Sequence, residues 1–106
     1  MSWSIEILPS ATKDLMHFEK ADRVTVAANI DRRLRQDPTV ETRNLKRLRP
    51  NPFADYELRV GRFRVLYRVE PEDRRIVILL VGEKIGNRLI AGGKEFTNHH
   101  ESRESQ

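Results

Sequence analysis

The sequence predicts an α+β fold, in which two N-terminal helices pack on one face of an antiparallel sheet. Three patterns predict it: an alternating segment at the start, apolar residues at helical spacing up to Leu34, and a series of strands from Tyr56 onward. The expected order of elements is β-α-α-β-β-β. With 106 residues, of which 38% are hydrophobic, the chain can build one core, so we expect a single domain over residues 1–96.

The first strand and the first helix follow from the spacing of apolar residues. The segment WSIEIL alternates apolar and polar side chains, which is typical of a strand. We expect Pro9 to end this strand and Ser10 to cap the following helix. The apolar face of that helix is expected to combine Ala11, Leu15 and Phe18, because these residues recur at intervals of one helical turn.

The second helix is expected to begin near residues 21–22. It should end before the Asp37–Pro38 pair, because proline disfavours the helical conformation in the residue that precedes it. Apolar side chains at helical spacing predict the face that it turns towards the sheet. The residues expected on this face are Val24, Ala27, Ile30 and Leu34.

The segment YELRVGRFRVLYRVE, Tyr56 to Glu70, predicts a hairpin that turns at Gly61–Arg62. The expected pairs are Val60 with Phe63, Arg59 with Arg64, Leu58 with Val65, and Tyr56 with Tyr67. One face of this hairpin is apolar and should meet the helices. The opposite face carries Glu57, Arg59, Arg64, Leu66 and Arg68. The next segment, RIVILLVG, is apolar at both parities, which predicts a strand covered on both sides. The segment after it, EKIGNRLIAGGKEF, leaves a last edge strand and a loop as open alternatives.

The composition indicates which classes of partner the chain suits, but it does not identify one of them. The chain has 20 Lys and Arg against 16 Asp and Glu, which gives a net charge of +4. This balance suits RNA, DNA or an acidic protein as partner, and it also fits an ordinary basic protein. The absence of cysteine excludes disulfides and thiolate chemistry.

The sequence predicts neither a membrane partner nor a cofactor. The N-terminus lacks the features of a secretion signal, and the apolar run 76–81 is too short to span a bilayer, so we expect a cytoplasmic protein. His99 and His100 lack supporting ligands, so neither a metal nor a small-molecule cofactor is expected. The tail, residues 97–106, contains no apolar residue and is expected to be disordered.

The two arginines at the predicted hairpin pair raise a question of function. Arg59 opposite Arg64 is a like-charge pair, which is unfavourable by some tenths of a kcal/mol. In one interpretation the face is simply solvated, and Glu57 neutralises the arginines. In the other interpretation the face binds an anion, since the arginine fork fits phosphate oxygens.

The stretch LKRLRPNPFADYELRVGRFRVLYRVEPEDRRIVILLVGEK, preceded by SATKDL, resembles the RelE/ParE superfamily of toxins from bacterial type II toxin–antitoxin modules. The resemblance runs roughly from residue 5 to residue 84, and it implies the fold described above. It also implies a cognate antitoxin protein as partner and a role in plasmid stabilisation. RelE-like members are mRNA interferases, endoribonucleases that cut mRNA on the ribosome.

In the reaction that this resemblance implies, the 2′-hydroxyl attacks the adjacent phosphate and leaves a 2′,3′-cyclic phosphate and a 5′-hydroxyl. Matched by position, the basic catalytic residues of the family fall on Arg59, Arg64 and Lys84. The residues expected to contact RNA around them are Arg62, Arg68, Lys46, Arg47 and Arg49. Ribosome and mRNA are then the targets.

Two alternatives stay open within the same resemblance. ParE-like relatives inhibit DNA gyrase, and a degenerate member could be a catalytically inactive binding protein. Many active RelE-like members carry a tyrosine or a histidine near the C-terminus for proton transfer. This chain has no tyrosine after Lys84, and its only histidines there are His99 and His100.

Overall fold

The computed structural model describes residues 2–96, in which two helices lie against a mixed sheet. The elements are β1 (Ser4–Ile7), α1 (Pro9–Met16), α2 (Lys20–Leu34), β2 (Leu45–Arg47), β3 (Tyr56–Val60), β4 (Phe63–Glu70), β5 (Arg75–Ile85), β6 (Arg88–Ala91) and β7 (Lys94–Glu95). A 3₁₀ turn, Pro71–Asp73, joins β4 to β5. The predicted α+β class is confirmed. The tail predicted to be disordered, residues 97–106, lies outside the described residues.

The sheet is antiparallel along its main path, β2-β3-β4-β5-β6-β7. The first strand departs from this pattern, since β1 pairs in parallel with the start of β5, where Ile5 lies opposite Ile76. Both β1 and β6 pair with β5, which also pairs with β4 along most of its length. The short strands β2, β6 and β7 are additional to the predicted order of elements. The segment after β5, for which an edge strand and a loop were both open, forms the strands β6 and β7.

The main core lies between the helices and the apolar face of the sheet. From α2 it takes Val26, Ile30 and Leu34, all buried. The predicted inward face of this helix was therefore wrong at two positions, because Val24 is 59% exposed and Ala27 is exposed as well. Val24 and Val26 stand about 200° apart around the helix axis, so only one of them can face the sheet.

The start of α1 also differs from the prediction. The helix begins at Pro9 itself, and Leu8 occupies the N-cap position without a side-chain hydrogen bond. Proline suits the first helical position because its fixed φ fits the helix and the amide N–H that it lacks would have no partner there. The Ser10 hydroxyl donates instead to the carbonyl oxygen of Leu79, at 3.4 Å.

Side chains of α1 close the edge of β5 between β1 and β6. The Asp14 carboxylate accepts a hydrogen bond from the backbone N–H of Val81, at 3.0 Å. Burial raises the pKa of Asp14, whereas the Val81 hydrogen bond and the charge of His17 act in the opposite direction. A carboxylate thus takes the place of a strand carbonyl at this edge.

A second apolar cluster covers part of the sheet face opposite the helices. Leu66 and Leu80 are buried there beneath the segment between β2 and β3 and beneath Phe96. The rings of Phe53 and Phe96 lie 5.2 Å apart at this cover. The prediction that the β5 segment is covered on both sides is confirmed, because residues 76–82 are all buried. Within residues 2–96, no helix is long and apolar enough to cross a membrane.

Candidate functional site

The hairpin β3–β4 has the register predicted from the sequence. Arg59 pairs with Arg64, and Tyr56 pairs with Tyr67 on the opposite face. The two tyrosines are buried and their rings stack at 5.6 Å. Gly61 opens the turn with φ +58°, a conformation that glycine adopts without strain. The arginines therefore point away from the helices, as predicted.

Four cations share the uncovered part of the sheet, which we call the cationic face: Lys46, Arg59, Arg64 and Lys84. Lys46 of β2 lies opposite Glu57, which is two residues before Arg59 and so points to the same side. Arg64 lies opposite Gly82 of β5, two residues before Lys84. Four neighbouring strands thus bring these side chains to one surface.

Arg64 is held by the backbone of its own hairpin. Its Nη1 donates to the carbonyl oxygens of Gly61 and Phe63, at 2.8 and 3.0 Å. Burial lowers its pKa most; the charge of Arg59 lowers it further and that of Glu57 raises it. Within residues 2–96, the Nε and Nη2 atoms of Arg64 have no hydrogen-bond partner. That edge of the guanidinium is the fork that can bind two oxygens of a phosphate.

Arg59 forms an ion pair with the carboxylate on its own strand. Its Nε donates to Oε1 of Glu57 at 3.0 Å. The side chain of Glu57 is 12% exposed and that of Arg59 is 30% exposed. The interpretation in which Glu57 neutralises an arginine therefore holds for Arg59, while Arg64 is bound to carbonyl oxygens.

Lys84 completes the face near the end of β5. Its side chain is exposed, and within the described part of the chain it forms no ion pair. Its backbone N–H donates to the carbonyl oxygen of Arg62 at 2.8 Å, which fixes the strand beside the hairpin loop. Leu89 lies opposite Lys84 on β6 and covers Gly82, where a Cβ atom would stand 2.9 Å from the Leu89 Cδ1.

The other residues predicted to bind RNA divide into two groups. Arg68 lies on the same side of the sheet as Arg64, farther from the hairpin turn, with its Nε 3.9 Å from Glu70. Arg62 instead contacts Glu83 at 2.6 Å and Asp22 of α2 at 3.2 Å. The hydrogen bond with Glu83 is the largest cause that raises the pKa of Arg62.

Arg47 lies on the helix side of the sheet edge, and Arg49 lies close to it along the chain. Arg47 pairs with Tyr56 in the register, and its guanidinium lies 5.9 Å from the centre of that ring. With Arg49 it lines a surface pocket of about 430 Å³ that also includes Val69. The structure thus joins Lys46 and Arg68 to the predicted catalytic residues, and places Arg47, Arg49 and Arg62 elsewhere.

The sequence offered no signal for the cover beside the cationic face. Phe53 and Phe96 are far apart in the chain, and neither lies in an alternating or helical pattern. Asn51 shapes the loop that carries Phe53, because its Oδ1 accepts the backbone N–H groups of Phe53 and Ala54. Only a pairing of distant segments could have revealed this contact. In residues 2–96 no group of histidines and carboxylates is placed to hold a metal ion.

Comparisons with known proteins agree with the resemblance seen in the sequence. Residues 5–84 match the family model described as the ParE toxin of type II toxin–antitoxin system, parDE. A search of curated proteins finds no significant match.

Several solved structures share the fold. The toxin–antitoxin complex RelBE2 from Mycobacterium tuberculosis contains a chain with 24% identity and a TM-score of 0.66, covering 79% of this chain and 100% of its own. The archaeal RelE–RelB complex from Pyrococcus horikoshii OT3 gives 25% identity and a TM-score of 0.65, over 82% and 99% of the two chains. The isolated E. coli RelE toxin gives 19% and 0.64, over 78% and 85%.

Proposed function

Because the chain belongs to the ParE toxin family of type II toxin–antitoxin systems, we propose that this toxin acts as an endoribonuclease that cuts mRNA on the ribosome. The observation that carries the proposal is the cross-strand pair Arg59–Arg64 on the uncovered side of the sheet, with Lys84 on the same side. Cations held in advance at one surface suit a reaction in which negative charge develops on phosphate oxygens.

The proposed chemistry assigns charge stabilisation to these residues. The 2′-oxygen of the RNA forms a bond to phosphorus while the bond from phosphorus to the 5′-oxygen breaks. The Nε and Nη2 edge of Arg64 and the guanidinium of Arg59 bind the oxygens on which charge accumulates. Lys84 binds the same phosphate or its neighbour. Proton transfer is not assigned to this face, because Tyr56 and Tyr67 are buried and His17 caps the C-terminal end of α1.

A cognate antitoxin is the proposed partner that keeps the toxin inactive. The relatives from M. tuberculosis and P. horikoshii are described as a toxin–antitoxin complex and as a RelE–RelB complex. We extend this to the present chain, and expect an acidic segment of the antitoxin to mask part of the cationic face. Its release would give the face access to mRNA in the decoding site of the ribosome.

Expression of the chain without an antitoxin tests the proposal in cells. Induction is expected to arrest bacterial growth, and primer extension on abundant transcripts should show new 5′ ends within reading frames. These breaks should require translation of the transcript, since the proposed nuclease works on the ribosome. Arg88→Ala is the matched control, because it removes one exposed cation that pairs with Glu95 on β6 and β7, away from the cationic face. Growth arrest with intact transcripts would contradict the proposal.

Inhibition of DNA gyrase is the second candidate function. The observation that favours it is the match of residues 5–84 to the family model of the ParE toxin, because ParE-like relatives are the gyrase inhibitors that the sequence resemblance implies. This candidate predicts induction of the DNA-damage response with intact mRNA, so the same induced culture distinguishes the two.

A further inference from the structure

We propose that Glu57 is a positioning residue: it fixes the guanidinium of Arg59 and offsets the repulsion between Arg59 and Arg64, while it lowers the affinity of the site for phosphate. The kinetic part of this inference rests on the proposed RNA cleavage. The binding part rests on the geometry of the sheet. Glu57 acts through Arg59, so no contact between Glu57 and the substrate is assigned.

The position of Glu57 in the register places its charge among the cations. It lies opposite Lys46 on one neighbouring strand and opposite Leu66 on the other. Its carboxylate accepts from the Nε of Arg59 at 3.0 Å. Because the bond engages Nε, the atom nearest the flexible stem, it restricts the direction in which the whole guanidinium plane points.

The burial of Glu57 distinguishes it from the other carboxylates that pair with arginines in the sheet. The side chain of Glu57 is 12% exposed, compared with 29% for Glu70 and 31% for Glu83. A carboxylate in this environment is stable only when cations and hydrogen bonds compensate for its lost hydration. Glu57 and Arg59 therefore hold each other in place before any ligand binds.

The electrostatic role of Glu57 follows from the like-charge pair Arg59–Arg64 beside it. Arg59 lies directly opposite Arg64, and neither guanidinium can relieve the repulsion by losing a proton. The negative charge of Glu57 favours the protonated form of Arg64, and the charge of Arg59 opposes it. The same negative charge must also repel an incoming phosphate. Glu57 thus improves alignment of the site and weakens its attraction for anions.

The test compares wild type with Glu57→Gln and Glu57→Asp, with Glu95→Gln as the matched control. Glu95 also neutralises an arginine, Arg88, but on β6 and β7, away from the cationic face. Affinity is measured for an RNA oligonucleotide carrying 2′-O-methyl groups, which cannot be cleaved through the 2′-oxygen, and for inorganic phosphate. The phosphate titration is followed by NMR of the arginine Nε–H groups. Cleavage rates are measured with mRNA on translating ribosomes.

Opposite changes in affinity and rate are the expected signature. Glu57→Gln should bind both probes about three- to tenfold more tightly, because one negative charge is removed beside the phosphate. Its kcat should fall about 10- to 100-fold, because Arg59 is held less firmly. Glu57→Asp keeps the charge but draws it back from Arg59, so its affinity should stay within about twofold of wild type while kcat falls. Glu95→Gln should change neither quantity.

Any one of three results overturns the inference. The first is Glu57→Gln that binds phosphate no more tightly than wild type, and the second is an Arg59 Nε–H signal that is unchanged when Glu57 is replaced. A loss of kcat that merely follows a loss of folded protein would appear as weaker binding of both probes, which also contradicts the inference. If the wild-type toxin cleaves no RNA, the proposed function fails, and the phosphate titration and the Arg59 signal still decide the role of Glu57.

Discussion

At the scale of single residues, the arginine pair is accommodated in two different ways. Arg59 is neutralised by a carboxylate, whereas Arg64 is bound through Nη1 to two carbonyl oxygens. The repulsion between them is a cost of some tenths of a kcal/mol that the hairpin tolerates. The proposed binding of an anion gives a reason for arginine at both positions.

Replacement of Arg64 by alanine is expected to separate function from stability. The variant loses two hydrogen bonds to carbonyl oxygens, and it also loses the repulsion from Arg59, so the free energy of unfolding should change by less than about 1 kcal/mol. Toxicity should disappear, because the phosphate fork is gone. Thermal melts and growth arrest measured on the same variant test this, with Arg88→Ala as control. A variant that regains toxicity when the fold is stabilised elsewhere would show that Arg64 is structural.

At the scale of elements, the edge of β5 combines strand pairing with side-chain hydrogen bonds. The strand pairs with β1 at its start and with β6 at its end, and α1 covers the part between them. Asp14 is the acceptor that α1 supplies there, and burial raises its pKa above the ordinary value of 3.8. Asp14 of α1 therefore makes a pH-dependent contribution to the free energy of unfolding.

The sign of that contribution follows from linkage. The raised pKa means that the folded protein binds the Asp14 proton more tightly than the unfolded chain, so its contribution to stability falls as the pH rises above 3.8. Asp14→Asn keeps an oxygen that can accept from Val81 and cannot ionise. We expect the stability of Asp14→Asn relative to wild type to increase from about pH 3 to about pH 7, as measured by urea unfolding. A difference that shrinks with rising pH would contradict this assignment.

The elements that the sequence predicted are those with local signals. The hairpin was predicted in register because its alternation changes at a glycine, and β5 because its apolar run has no polar face. The pairing of β1 with β5 joins segments far apart in the chain, so no local pattern could reveal its parallel direction. The inward face of α2 was ambiguous because Val24 and Val26 are both valines.

The candidate site could likewise be predicted only where the sequence carries a local signal. Arg59 and Arg64 were assigned to one face because strand parity fixes their direction once the hairpin is known. Arg47 was expected beside them, but β2 has only three residues and no alternation that marks it as a strand. Its pairing with Tyr56 turns Arg47 to the helix side. The missing information was therefore the partner of a short strand.

At the scale of the whole molecule, the two faces of the sheet have different neighbours. The helices cover one face, and the other is divided between an apolar part beneath Phe53 and Phe96 and the cationic face. A net charge of +4 favours approach to polyanions, and the cationic face gives that attraction a direction. The fold thus leaves uncovered the corner where the arginine pair lies.

Single-turnover cleavage of mRNA on translating ribosomes, in a purified translation system, tests the central claim most directly. The wild-type toxin is expected to cut within the reading frame. Arg59→Ala and Arg64→Ala should each be slower by about 10²- to 10³-fold, as for loss of one group that stabilises developing charge, and Arg88→Ala should cut at the wild-type rate. No cleavage by the wild type, or equal cleavage by all four proteins, would contradict the account.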